Sequence, residues 1–112
     1  MNAPERMWRG LAKHDWAAVR SQFHRTAIVE RPAAAQSLTV DEFIIDHREH
    51  AARGDYAVEV LRSLNAEGTT IVIEARAGGA RCAGLYDLHD GRIAGAVEYW
   101  VPPAPPASPP GA

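Results

Sequence analysis

A single cysteine, Cys82, leaves this chain without a disulfide framework and without a cysteine-built zinc site. It has no run of eighteen apolar residues, so no segment is expected to span a membrane. It has no basic stretch either. Twelve Lys and Arg stand against fourteen Asp and Glu, for a net charge of -2, and nucleic acid is not an expected partner. The opening Met1-Asn2-Ala3-Pro4-Glu5-Arg6 lacks the apolar core of a signal peptide, so a cytoplasmic location is expected. Proline is scarce in the body of the chain, because six of its eight prolines fall between Pro102 and Pro110. What is present is a chain of 112 residues, 46% of them hydrophobic, which excludes a disordered polymer. Residues 1–101 are read as one domain, able to bury about 60–70% of the surface its unfolded chain exposes. Residues 102–112 are read as a Pro-rich disordered tail.

Local signals predict helices first and strands afterwards. Pro4 to Lys13 reads as a short helix with Met7 and Leu11 on one face. Asp15 is a good N-cap for a second, Trp16 to Phe23. A short strand over 27–31 is ended by Pro32, and the stretch to Leu38 reads as loop with at most a weak strand. Thr39 and Glu42 form a capping box that opens a third helix running to about Arg53, with Gly54 as its stop. Beyond it the hydrophobic period changes from 3.6 to 2. Tyr56–Leu64, Thr70–Ala77, Ala80–Leu88 and Ile93–Val101 read as four strands, with hairpin turns at Gly78-Gly79 and Asp90-Gly91. The expected class is α+β, an antiparallel meander beside three helices from the N-terminal half.

Counting outward from two-residue turns predicts which side chains share a sheet face. Trp100 should lie opposite Arg81 and Arg81 opposite Arg76; Glu98 opposite Ala83 and Ala83 opposite Glu74; Ala96, Leu85 and Val72 form the next row. The other face then carries Cys82, Tyr86, Ile71, Ile73 and Val97. Both faces are apolar at their centre, so one should meet the helices and the other a second copy of the chain; a homodimer is expected.

This order of elements, closing with Asp90-Gly91-Arg92-Ile93 and Glu98-Tyr99-Trp100, resembles the nuclear transport factor 2-like superfamily, in its SnoaL-like and ketosteroid-isomerase-like branches, over about residues 5–101. The resemblance implies a cone-shaped, curved sheet lidded by helices, with a ligand pocket on the concave side. It implies that Arg81, Ala83, Leu85, Ala96, Glu98 and Trp100 form that concave face. The catalytic sets of the family do not carry over. Where ketosteroid isomerases place a donor Tyr, a base Asp and a second donor Asp, this chain has Met7, Arg31 and Ala83. Met and Ala donate no hydrogen bond, and a guanidinium does not act as a base at neutral pH. SnoaL-like cyclases also rely on an acid/base carboxylate in the next-to-last strand, where this chain has Ala83-Gly84. Enzymes similar to limonene-epoxide hydrolase use two carboxylates and an Arg. Glu98 before Tyr99-Trp100 matches one of these, and Glu74 with Arg76 repeats the other spacing in reverse order.

The candidate catalytic residues are therefore Glu98, His47 and Glu74, and the candidate ligand-binding residues are Trp8, Arg31, Arg76, Arg81 and Trp100. His47 lies on the apolar face of the third helix, three residues before His50, but no further ligand set accompanies the pair, so neither metal nor cofactor is expected. The leading expectation is a domain that binds a small organic ligand in its cone, with isomerase, cyclase or hydrolase chemistry open. The alternative is a non-catalytic dimeric interaction or scaffold domain.

Overall fold

The computed structural model describes residues 1–54 and 56–103. The tail from position 104 onward lies outside the described residues. Helix α1 (Ala3–Ala12) is opened by a capping box between Asn2 and Glu5, and buries Met7, Trp8 and Leu11. Asp15 caps α2 (Trp16–Ser21), which ends short of Phe23. Phe23 instead begins β1 (Phe23–Arg31), because its ring packs against Phe43 with centroids 5.4 Å apart. A single 3-10 turn at Pro32–Ala34 leads to β2 (Gln36–Thr39). Thr39 and Glu42 cap α3 (Val40–Ala52) as its sequence requires. Strands β3 (Val58–Asn65), β4 (Thr70–Ala77), β5 (Ala80–His89) and β6 (Arg92–Val101) follow among the described residues.

The six strands form one curved, open sheet in the order β2-β1-β6-β5-β4-β3. All neighbours are antiparallel except β1 and β6, which run parallel. Gly78, Gly79, Asp90 and Gly91 all take positive φ, as two-residue turns of right-handed twist demand. The three helices cover one face of the sheet, and the core between them holds Trp8, Met7, Leu11, Phe43, Ile73, Tyr86 and Ile93, all fully buried. Each such side chain contributes about 1.5–3 kcal/mol when removed from water.

The pairing of β4 with β5 follows the count from Gly78-Gly79: Arg76 faces Arg81, Glu74 faces Ala83 and Val72 faces Leu85. The pairing of β5 with β6 does not follow the count from Asp90-Gly91. Leu88 faces Ile93, but Asp87 faces Gly95, so Ala94 is an extra residue on β6. That bulge moves every later pair by one: Tyr86 faces Ala96, Gly84 faces Glu98 and Cys82 faces Trp100. Side chains alternate with period two, so one inserted residue transfers Ala96, Glu98 and Trp100 to the opposite face. The expected concave row is therefore corrected. Glu98 and Trp100 share the helix-covered face with Tyr86 and Cys82, while Glu74, Arg76, Arg81, Ala83 and Leu85 occupy the convex face. Cys82, expected away from the cone, is buried within it, and burial pushes its thiol well above the ordinary range.

Candidate functional site

The polar centre of the fold is built around Glu98. Its strand delivers it to the core, where it has no exposed surface, and three donors converge on its carboxylate. Tyr86 Oη donates to Oε2 at 2.7 Å, Trp100 Nε1 donates to Oε1 at 3.0 Å, and Arg31 Nε approaches Oε1 at 3.4 Å. Tyr86 Oη in turn accepts from Trp8 Nε1 at 3.0 Å. Burial and the Glu98 carboxylate push the Tyr86 phenol well above its ordinary range, so it remains a donor. A buried carboxylate is tolerated only when its oxygens are so occupied.

Arg31 ends β1, immediately before Pro32, and links this network to α3. Its Nη1 donates to Asp46 Oδ2 at 2.9 Å. The guanidinium lies between two rings, with its Cζ 5.7 Å from the centroid of Phe43 and 5.7 Å from that of Trp100. Burial opposes its charge, but the Glu98 and Asp46 carboxylates outweigh it and hold the pKa above the ordinary value. One turn position along α3, His47 is 3% exposed and bonds through Nδ1 to the hydroxyl of Tyr56. Burial, with Arg31 nearby, lowers the imidazole to about 3. Burial likewise pushes the Tyr56 phenol up. Both groups are uncharged at neutral pH.

Two buried nitrogens at this centre, Arg31 Nη2 and His47 Nε2, have no hydrogen-bond partner among the described residues. Arg31 and His47 both line a cavity of about 490 Å³ whose wall also includes Asp46, Tyr56, Gln36 and Trp100. Pro102 and Pro103 border it on one side. A smaller cavity of about 210 Å³ adjoins it through Arg31, Gln36 and Trp100, and reaches Glu98. Among the described residues no group of three or more His, Cys, Asp or Glu side chains could hold a metal ion, and no helix is long and apolar enough to cross a membrane.

Of the residues singled out from the sequence, Trp8, Arg31, His47, Glu98 and Trp100 come together here. Glu74, Arg76 and Arg81 do not. Glu74 is 3.3 Å from Arg62 and Arg76 is 3.6 Å from Glu59, both pairs on the convex side. Asp46, Tyr56 and Tyr86 are members that sequence reasoning missed. Tyr86 had a signal in Gly84, a glycine inside a strand, which marks a close approach. Asp46 neighbours the singled-out His47, but nothing local indicates that it meets Arg31.

Comparison with solved structures places this geometry. The fold superposes on a candidate ketosteroid isomerase from Kribbella flavida at 20% identity, over 97% of this chain and 81% of that one, with a TM-score of 0.71. It superposes on a SnoaL-like protein of unknown function from Burkholderia thailandensis at 16% identity, over 87% of this chain and 89% of that one, with a TM-score of 0.74. It also superposes on IdmH, a candidate polyketide cyclase from Streptomyces antibioticus, at 11% identity, over 88% of each chain, with a TM-score of 0.77. The chain has the nuclear transport factor 2-like fold. No family model matches the sequence, and no curated protein matches it. Within the nuclear transport factor 2-like cone, the Arg31–Glu98–Asp46 cluster and His47 stand between the helical lid and the sheet.

Proposed function

We propose that the cone binds a small, flat, uncharged organic molecule that presents an oxygen acceptor to Arg31 and His47. The observation that carries this reading is the pair of buried, unpartnered nitrogens on Arg31 and His47, two residues that line the 490 Å³ cavity. A buried donor left without a partner costs roughly 1–3 kcal/mol, which a ligand oxygen would recover. Trp100 and Tyr56 supply aromatic walls, and the volume is that of ordinary small-molecule sites. Charge sets the ligand class. Arg31 already faces two carboxylates, Glu98 and Asp46, so a further carboxylate from the ligand would meet net repulsion. Asp46 faces both cavity and solvent and is the group positioned to take a proton from a bound molecule. A base beside two donors suits proton abstraction next to a carbonyl, a step used in isomerisation and cyclisation. Glu98, enclosed by three donors, serves as the anchor of Arg31 in this reading.

The test is a titration of the labelled protein with 2-acetylnaphthalene, followed by backbone and indole amide shifts. Saturable changes at Gln36, Gly78 and the Trp100 indole are expected. Changes scattered over the surface, or none up to the solubility limit of the probe, would overturn the reading.

For the partner, we propose a second copy of the chain on the convex face. Leu64, Val72, Leu85 and Val97 face one another in register across four strands there, and no helix among the described residues covers them.

A further inference from the structure

Tyr56 stands in the segment between α3 and β3, and its hydroxyl has one partner among the described residues, His47 Nδ1. A phenol and a neutral imidazole can share their protons in two ways. When the phenol donates, Nδ1 accepts and the imidazole proton sits on Nε2, the buried nitrogen without a partner among the described residues. When Nδ1 donates, the phenol proton loses its partner and Nε2 becomes an unpaired acceptor. Phenol is the better donor of the two groups and imidazole nitrogen the better acceptor, so the first arrangement is favoured.

We propose that Tyr56 is a positioning residue: it fixes His47 in the tautomer with its proton on Nε2, so that this nitrogen and Arg31 Nη2 form a two-donor clamp for one oxygen acceptor of the ligand. The clamp rests on the ligand-binding reading above, whereas the tautomer is a property of the free protein. Geometry places the two donors at one apolar corner. The His47 ring is 4.5 Å from the Phe43 centroid and 6.0 Å from that of Trp100, the same two rings that flank the Arg31 guanidinium. The charged and titratable groups facing His47 are Arg31 from β1, with Glu98 of β6 behind it, Asp46 and His50 from α3, and Tyr56. Burial and Arg31 dominate among them, so the ring gains no second proton near neutrality. The clamp therefore selects carbonyl-type oxygens and rejects groups that can only donate.

Long-range proton–nitrogen spectra of the nitrogen-15-labelled chain, recorded without ligand, read the tautomer directly. A pyridine-type Nδ1 and a pyrrole-type Nε2 are expected for His47, unchanged from about pH 5 to about pH 8. In Tyr56→Phe the Nδ1 signal should move to the position of a bare pyridine-type nitrogen. Binding of 2-acetylnaphthalene should then weaken about three- to tenfold, while 2-isopropenylnaphthalene, of the same shape without the oxygen, binds as before. A proton found on Nδ1 in the wild type would overturn the proposal, as would equal weakening of both probes in the variant. Because the wild-type spectrum needs no ligand, the expected tautomer with no binding of either probe would sink the ligand reading and leave the Tyr56 assignment standing.

Discussion

Tyr86 can reach both Trp8 and Glu98 only because position 84 carries no side chain. A Cβ there would lie 2.6 Å from Tyr86 Cζ, and the ring is fully buried and held by hydrogen bonds at its hydroxyl, so it has no free direction in which to move. Gly84→Ala is expected to cost about 1–3 kcal/mol of stability by overpacking, measured by urea unfolding, and to weaken the Tyr86–Glu98 bond on which Arg31 depends. His47 contributes a pH dependence of known sign. Its pKa is about 3 in the folded chain and 6.5 as a free imidazole, so below 6.5 the unfolded state binds the proton that the folded state refuses. Stability from this group is complete above about pH 6.5 and falls as the pH drops towards 3, at up to about 1.4 kcal/mol per pH unit. Urea midpoints across that window should show the slope in the wild type and lose most of it in His47→Gln. An equal slope in both would remove His47 as its source.

At the scale of elements, β6 decides what the site contains. Capping residues and turn glycines make the strand and helix spans legible: Thr39 with Glu42 opens α3, and Asp90-Gly91 closes the last hairpin where expected. Faces are less legible, because they are counted from the turn and one inserted residue reverses all that follows. Ala94 is that residue, and the accompanying Gly95 is the local trace it leaves in the sequence. The parallel pairing of β1 with β6 has no local signal at all, since it joins segments about seventy residues apart. With it goes the meeting of Arg31 and Glu98, which no single segment could announce. Deleting Ala94 is expected to remove the bulge and leave Glu98 opposite Gly84, whereas Glu98→Ala removes one of the two carboxylates that Arg31 faces. Removing one partner of a buried ion pair costs about 3–5 kcal/mol, so Glu98→Ala should unfold at a markedly lower temperature in a thermal scan, while the Ala94 deletion keeps the network. A Glu98→Ala variant of wild-type stability would show that this carboxylate does not hold the network together.

Over the whole molecule, the helices cover one face of the sheet, and among the described residues no helix covers the other. That convex face is not an ordinary wet surface. Leu64 and Leu85 are 53% and 39% exposed in one row with Val72 and Val97, and Tyr99, 48% exposed, stands in the next row opposite Ala83. Around them stand charges of both signs, in the pairs Arg62–Glu74 and Arg76–Glu59, which contribute at most about 1 kcal/mol each while open to water. A patch with an apolar centre and a rim of mixed charge can meet its own image under a two-fold axis without placing like charges together, which is the requirement of an isologous dimer. Wild-type protein at micromolar concentration should therefore scatter light as a dimer. Leu85→Glu places a carboxylate at the centre of the row and should yield a folded monomer. Because the cavity opens on the opposite side of the sheet, that monomer should bind 2-acetylnaphthalene as the dimer does. A monomeric wild type, or a Leu85→Glu variant that still associates, would move the second copy off this face, and the convex hydrophobic row would then need a different partner.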